Sequence, residues 1–268
     1  MATRKHIFGA KSPKGLPSAD LASKPSPMSE LLRTPLYDFH AAHGARLVPF
    51  AGWEMPVSYA GIIEEHKTVR ETCGLFDVCH MGEFEATGPE VEAFLDHALT
   101  NRIVGTPSGK AVYSPLCYEH GGTVDDLIVY RRSESDFLIV VNASNIEKDF
   151  AHLSTIAGKF DVKLENQSDD TALIAVQGPK AAELLVSLAP EGAELPKRFR
   201  HTELPLGGIL CRVSRTGYTG EDGFEVFCPA VEAVSLAKKL TSAGEPLGVQ
   251  WCGLGARDSL RLESGFPL

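Results

Sequence analysis

Apolar and polar residues alternate most clearly over Val124–Arg131, directly after the Gly121-Gly122 pair. The stretch is rich in Val, Ile, Leu and Tyr, and the two glycines are a tight-turn signal, so we predict a hairpin that leads into a strand. Period two places the even-numbered residues on one face and the odd-numbered residues on the other. Both faces are apolar, so we expect the strand to be buried on both sides. Asp125 and Asp126 then enter the core at its rim, either as turn caps or as functional carboxylates.

Further strands are predicted on either side of this one, at Ala111–Cys117 and Phe137–Asn142. Asn142 ends its strand and can cap the next helix, which has an apolar stripe at Ile146, Phe150, Leu153 and Ile156. A second hairpin runs from Gly208–Val213 to Phe224–Phe227 through a glycine-rich turn. Glu225 lies between two apolar residues of that last strand, where it is either a solvated edge residue or a functional carboxylate.

A short pattern recurs three times: a strand ends at a proline, and a helix follows. The pairs are Phe84–Pro89 with Glu90–Leu99, Leu173–Pro179 with Lys180–Leu188, and Phe224–Pro229 with Ala230–Leu240. The pattern predicts an α+β fold of duplicated strand–helix modules with antiparallel sheets. Three matches of so short a pattern also leave chance as an explanation.

Three other stretches complete the expected fold. Leu47–Tyr59 contains prolines and a glycine, so we expect an irregular apolar segment. Residues 61–73 have helical spacing, and Leu75–Ala86 fits a strand pair or a bent strand. The end of the chain, from Gly253, predicts a helix with Arg257 and Arg261 one turn apart, an arrangement typical of surface salt bridges.

Composition narrows the function classes. A net charge of −9 over 268 residues argues against a nucleic-acid partner, and no apolar run reaches membrane-spanning length. The six cysteines are scattered without a Cys-x-x-Cys pair, and the histidines have no metal-ligand spacing, so we expect reduced thiols and no metal.

The first 28 residues differ from the rest, with five basic residues, one acid and several serines and prolines. This composition predicts a disordered leader. Prolines 13, 17 and 25 break any amphipathic helix, so we favour a cytoplasmic protein that starts near Met28; a mitochondrial transit peptide is the alternative.

Six stretches together resemble the aminomethyltransferase, or T-protein, of the glycine cleavage system. They are Thr34–Phe39, Phe50–Tyr59, Leu75–Met81, Gly121–Tyr130, Gly217–Val226 and Gly253–Leu262. The resemblance implies the folate-binding aminomethyltransferase fold over residues 29–268, with two intertwined α+β subdomains. Family members continue into a C-terminal β-barrel domain, and from this sequence we expect that domain to be absent.

The resemblance also implies a reaction and its residues. A lipoylated H-protein carries an aminomethyl group, tetrahydrofolate accepts its one-carbon unit as 5,10-methylenetetrahydrofolate, and ammonia is released. By family pattern Asp126 is catalytic, because a carboxylate can relay the proton that the folate amine loses, while Asp125 orients the turn. Glu225 matches the residue that reads the pteridine ring through two acceptor oxygens, and Arg257 matches a folate-contacting arginine.

Four more residues lie beside these motifs and are candidates for lining the folate pocket: Tyr113, Asn142, Tyr218 and Met81. Core packing or turn stabilisation explains each of them equally well.

Two other functions stay open at this point. A non-catalytic folate-binding module is one, although the Lys-Gly-Cys-Tyr motif of the module that supports iron–sulfur protein maturation is missing here. The folate domain of a dimethylglycine or sarcosine oxidoreductase is the other, although no Gly-x-Gly-x-x-Gly motif is present.

Overall fold

The computed structural model describes residues 30–268, so the leader predicted at residues 1–28 lies outside the described part. The strands are β1 (Arg46–Phe50), β2 (Trp53–Ser58), β3 (Gly74–Asp77), β4 (Gly82–Thr87), β5 (Ala111–Cys117), β6 (Thr123–Arg131), β7 (Asp136–Val141), β8 (Lys163–Asn166), β9 (Thr171–Gln177), β10 (His201–Leu206), β11 (Ile209–Ser214), β12 (Gly223–Pro229) and β13 (Gln250–Trp251). The α-helices are α1 (Tyr37–Ala42), α2 (Ile62–Glu71), α3 (Val91–Ala98), α4 (Ile146–Ala157), α5 (Ala181–Leu188), α6 (Ala233–Gly244) and α7 (Leu254–Glu263).

Two series of elements repeat the same order along the chain. The first module is β4-α3-β5-β6-β7-α4-β8, and the second is β9-α5-β10-β11-β12-α6-β13. Their sheets have the strand orders β5-β6-β7-β4-β8 and β10-β11-β12-β9-β3-β13. The orders correspond strand by strand, except that β3 is inserted into the second sheet between β9 and β13. The predicted α+β fold of duplicated modules with antiparallel sheets is therefore confirmed.

The repeating unit is longer than the strand–helix pair predicted from sequence. Two of the three predicted pairs, β4 with α3 and β9 with α5, open the two modules and are equivalent. The third pair, β12 with α6, was predicted to be a further copy of the same unit. That prediction is wrong, because β12 and α6 occupy the positions that β7 and α4 have in the first module.

Glycines explain why the two opening pairs share a sequence pattern. Gly88 and Gly178 follow β4 and β9 with φ of 136° and 132°, a region that side chains rarely adopt. A Cβ at Gly88 would lie 2.4 Å from the carbonyl oxygen of Asp161, and one at Gly178 would lie 2.6 Å from that of Thr72. Each glycine lets its strand turn into the helix while it touches neighbouring backbone.

The two sheets pack face to face, with helices outside. Alternate residues of each strand belong to different cores, as period two requires. In β9, Ile174 packs toward α5 and α6, while Ala175 packs into the layer between the sheets. In β7, Ile139 packs toward α3 and α4, while Val140 faces the inner layer. Helices α2 and α7 close one side of this inner layer through Val69 and other apolar residues.

The prediction of an irregular segment at Leu47–Tyr59 is wrong. This stretch is the antiparallel hairpin β1–β2, turned at Ala51 and Gly52, whose φ values are 50° and 85°. A two-stranded ribbon tolerates its prolines, because every strand in it is an edge strand.

A buried hydrogen-bond chain ties this hairpin to β3. The Tyr59 hydroxyl lies 2.7 Å from Nδ1 of His40, whose Nε2 lies 2.8 Å from the Asp77 carboxylate. Thr34 also donates to Asp77 at 2.6 Å. Burial acts to raise the pKa of Asp77, but its bonds to His40 and Thr34 outweigh it and lower that pKa.

Candidate functional site

A β-bulge lies beside Asp126. Cys117 pairs with Thr123 and Leu116 pairs with Asp125, so Val124 has no partner in the register. The Val124 side chain consequently packs in the core toward α3 and α4, not with Tyr130 as strict alternation predicted. After the bulge, alternation resumes as predicted, and the two aspartates face opposite sides of the sheet.

Asn142 holds both aspartates, although the sequence predicted a helix cap. Its side chain makes no cap hydrogen bond. Instead Nδ2 lies 2.9 Å from Oδ1 of Asp125, 3.2 Å from Oδ1 of Asp126 and 3.0 Å from the Asp126 carbonyl oxygen. The Asn142 backbone N–H adds a bond of 3.3 Å to Asp125. Asp125 therefore binds the end of β7 and does not orient the glycine turn.

Two tyrosines surround the Asp126 carboxylate, which is half-buried. The Tyr113 hydroxyl lies within hydrogen-bond reach of Asp126, and Tyr218 is near enough for the Asp126 charge to act on its hydroxyl. Desolvation, the Asp126 contacts and the nearby Tyr218 raise the pKa of Tyr113 to about 12. Both phenols are therefore neutral at pH 7, and the Tyr218 hydroxyl donates to the carbonyl oxygen of Pro267.

Arg257 belongs to this group and not to a surface salt bridge. Its guanidinium lies 4.8 Å from the centre of the Tyr218 ring, within cation–π distance. Desolvation lowers its pKa, and the nearby Glu225 carboxylate opposes that effect. The Nη1 atom is buried and has no hydrogen-bond partner within residues 30–268. By contrast, Arg261 does pair with Asp258, as the sequence suggested for both arginines.

Glu225 is buried on the inner face of β12, so the solvated-edge interpretation is wrong. Its Oε2 accepts hydrogen bonds from Thr216 at 2.5 Å and from Tyr130 at 3.2 Å. No hydrogen bond to Oε1 is formed inside the described range, which leaves one acceptor oxygen for a ligand. A bidentate contact, as expected from sequence, requires one of the hydroxyl donors to be displaced.

Six of the seven predicted residues thus form one chain of neighbours: Asn142, Asp126, Tyr113, Tyr218, Arg257 and Glu225. Met81 is the exception, since it packs against the apolar layer between the sheets and no contact joins it to the other six.

His80, which sequence reasoning missed, lies next to Arg257. Its ring packs edge-on against Phe50 at 5.6 Å, and its Nδ1 is buried without a partner in residues 30–268. Desolvation lowers its pKa to about 4, with Asp77 raising and Arg257 lowering it. The imidazole is therefore neutral at pH 7. The only sequence signal near this position was its neighbour Met81, which was a candidate for lining the folate pocket.

Asp149 is the second residue missed. It is fully buried in α4, in contact with Asp125. A signal was present in the sequence, because position 149 lies three residues after Ile146 and four before Leu153, on the apolar stripe of the helix.

The described residues contain no group of three His, Cys, Asp or Glu side chains that could hold a metal ion. All six cysteines are free, and five are buried. None of the helices in the range 30–268 has the length and apolarity to cross a membrane.

Comparison with known proteins places this geometry in a family. The model of the GCVT N-terminal domain matches residues 36–268. The chain belongs to that family. A GCVT-domain relative, the aminomethyltransferase of Desulfitobacterium hafniense, is 51% identical over 243 residues, which cover 90% of this chain and 66% of the relative. The chain thus spans just under two thirds of that protein.

Solved structures of other proteins have the same fold. The glycine cleavage system aminomethyltransferase T of Bartonella henselae, 39% identical, has a TM-score of 0.81 over 89% of this chain and 64% of its own length. A chain of heterotetrameric sarcosine oxidase from a Corynebacterium shares the fold of this GCVT domain with a TM-score of 0.58 at 18% identity, over 82% of this chain and 97% of its own.

Proposed function

We propose that this chain takes part in glycine cleavage as an aminomethyltransferase that binds tetrahydrofolate. The observation that carries the proposal is the continuous chain of neighbours from Asp126 to Glu225. Acids and phenols of the two modules and an arginine of α7 line one site there, in a family whose relatives at about 50% identity are named aminomethyltransferases. That identity favours a transferase over a non-catalytic module or an oxidoreductase folate domain.

The polar groups available at this site fit a folate. A pteridine offers adjacent N–H donors and a carbonyl oxygen. Glu225 has Oε1 available as an acceptor, and Arg257 has a buried Nη1 donor without a partner. A buried donor without a partner is costly, so a ligand oxygen there relieves a desolvation penalty of about 1–3 kcal/mol. The phenol of Tyr113 adds a neutral donor, and both Tyr113 and Tyr218 add apolar ring faces.

The reaction requires a proton acceptor beside the folate amines. The one-carbon unit leaves a lipoyl sulfur and becomes bonded to two folate nitrogens, which together lose two protons. Ammonia takes one of these protons and the lipoyl thiolate takes the other. Asp126 is the carboxylate with the exposure to relay them, and as an anion it also stabilises the positive charge that develops on nitrogen. Asn142 and Tyr113 hold its orientation.

The partner in this proposal is a lipoylated H-protein. A cytoplasmic location is supported by the bacterial origin of the relatives. A mitochondrial location is the alternative, and it depends on residues 1–28.

Calorimetric titration with tetrahydrofolate, followed by a transfer assay with aminomethyl-lipoyl H-protein, tests the proposal. Folate binding with release of ammonia supports it. Binding without transfer favours the non-catalytic folate module, and absence of binding contradicts both.

A further inference from the structure

Asp149 and Asp125 form a buried pair of carboxyl groups beside the site. Asp149 is 0% exposed and Asp125 is 6% exposed, and the two side chains are within hydrogen-bond reach of each other. Neither forms an ion pair within residues 30–268, and the nearby Lys148 donates its ammonium to the carbonyl oxygen of Val124 at 2.6 Å. Two carboxylates in contact without a cation cannot both be ionised, so the pair holds one proton.

Hydrogen bonds decide where that proton is. Asp125 accepts two N–H bonds from Asn142, which stabilise its anionic form. Neither oxygen of Asp149 receives a donor from the part of the chain that is described. Asp149 is therefore the neutral acid, and it can donate its O–H to Asp125.

We propose that Asp149 is a positioning residue of this site: as a neutral acid it donates a hydrogen bond to Asp125 and so fixes the carboxylate that holds Asn142 against Asp126. The inference rests on the proposed function for its effect on catalysis. Its protonation and its hold on Asn142 can be measured without any activity.

Other charged groups around Asp149 bear on its titration. Desolvation and the charges of Asp125 and Asp126 raise the pKa of Asp149 to about 8, while Lys148 acts to lower it. His152 lies one turn further along α4, and its Nε2 is also buried without a partner in the described range.

The test compares two variants. Asp149→Asn keeps a side-chain N–H that can donate to Asp125 but carries no proton to lose. Asp149→Leu has similar size and no donor. Glu147→Gln on the exposed side of α4 is the matched control for charge.

Two spectroscopic readouts are independent of activity. Glu83 is a second buried acid with a raised pKa, so the infrared carbonyl stretch of Asp149 is read from the difference between the wild type and Asp149→Asn. This difference band should be present at pH 6 and should fade as the pH rises above 8. The side-chain amide resonances of Asn142 should shift over the same pH range in the wild type and in Glu147→Gln but not in Asp149→Asn. The proposal is overturned if Asp149 is ionised at pH 6, or if the Asn142 resonances do not shift as Asp149 titrates.

The kinetic readout uses the transfer assay. We expect Asp149→Leu to lower kcat by about 10–10²-fold with KM for folate nearly unchanged, because Asp126 is misplaced. Asp149→Asn should keep most of the wild-type rate and lack its decline above pH 8. Equal losses in both variants contradict a positioning role. A wild-type chain without transfer contradicts the proposed function, and the two spectroscopic readouts then still decide the inference.

Discussion

The two modules have the same topology, but the site carboxylate of each has a different burial and different hydrogen-bond donors. In the second module Glu225 is buried, and its Oε2 accepts two hydroxyl donors. In the first module Asp126 is half-buried and is held by one carboxamide and one phenol. A carboxylate held by two fixed hydroxyls keeps one orientation, which suits recognition. A carboxylate with access to solvent is suited to exchanging protons.

The bulge at Val124 contributes to this difference. It displaces one residue from the register of β6, directly before the two aspartates. No register shift interrupts the pairing of β12 with β11 or β9, so Glu225 stays in regular alternation on the inner face. Duplication supplied two similar scaffolds, and a local irregularity gave one of them a different carboxylate environment.

The largest effect is expected from Asp126→Asn. If Asp126 relays protons, transfer should fall by a factor of roughly 10²–10⁴ while folate affinity is retained, because the amide cannot accept a proton at neutral pH. The measurement is steady-state ammonia release combined with calorimetry. Glu119→Gln, an exposed acid in the same hairpin, is the control, and near-wild-type turnover of Asp126→Asn would remove the distinction between the two carboxylates.

Gly178→Ala tests the scaffold that the modules share. The φ of 132° and the 2.6 Å approach to the carbonyl oxygen of Thr72 should together destabilise the fold by about 1–3 kcal/mol, measured by urea unfolding. Gly61→Ala is a matched control, because Gly61 has a φ of 121° but nothing within 4 Å of a Cβ. Equal losses would mean that backbone strain, and not the close contact, explains the glycine.

Glu225→Gln tests whether the carboxylate of the second module recognises folate. The new carbonyl oxygen can keep the donors Thr216 and Tyr130, so the amide nitrogen faces the ligand and presents a donor where an acceptor stood. Folate binding should weaken by about 1–3 kcal/mol without loss of stability. The control is Glu203→Gln, exposed in the same sheet. An unchanged dissociation constant for Glu225→Gln would show that Oε1 does not contact folate.

The last prediction concerns the stability of the first module as pH changes. The pKa of Asp149 is about 8 in the folded chain and near 4 in an unfolded one. The folded state therefore holds a proton that the unfolded state has released, and this contribution to stability is lost as pH rises from about 4 through 8. Asp149→Asn should flatten that decline in urea midpoints. An unchanged slope would place the titration elsewhere.

Local sequence pattern was enough for much of the fold. Strand β5 has the bounds predicted, and β6 and β7 differ by one residue at an end, because β-branched and aromatic runs between turn residues specify strands locally. The hairpin at Leu47–Tyr59 was missed because proline was counted against any strand, whereas an edge strand accepts it.

The sequence by itself determined most of the strand-and-helix order, the buried strand with its two aspartates, and the motifs that mark the family. Only the tertiary structure decided that Asn142 holds these aspartates, that Glu225 offers a single oxygen, and that Arg257 has a buried Nη1 atom without a partner in residues 30–268. It also decided which face Val124 occupies and joined Asp149 to Asp125. The physical reason is that these properties depend on contacts between residues far apart in the chain, such as the 95 positions between Tyr130 and Glu225 or the contacts that link Tyr113 to an arginine of the last helix through Tyr218. Pattern along a chain encodes burial and local conformation, but a hydrogen-bond partner from another strand is chosen only when the sheets have packed.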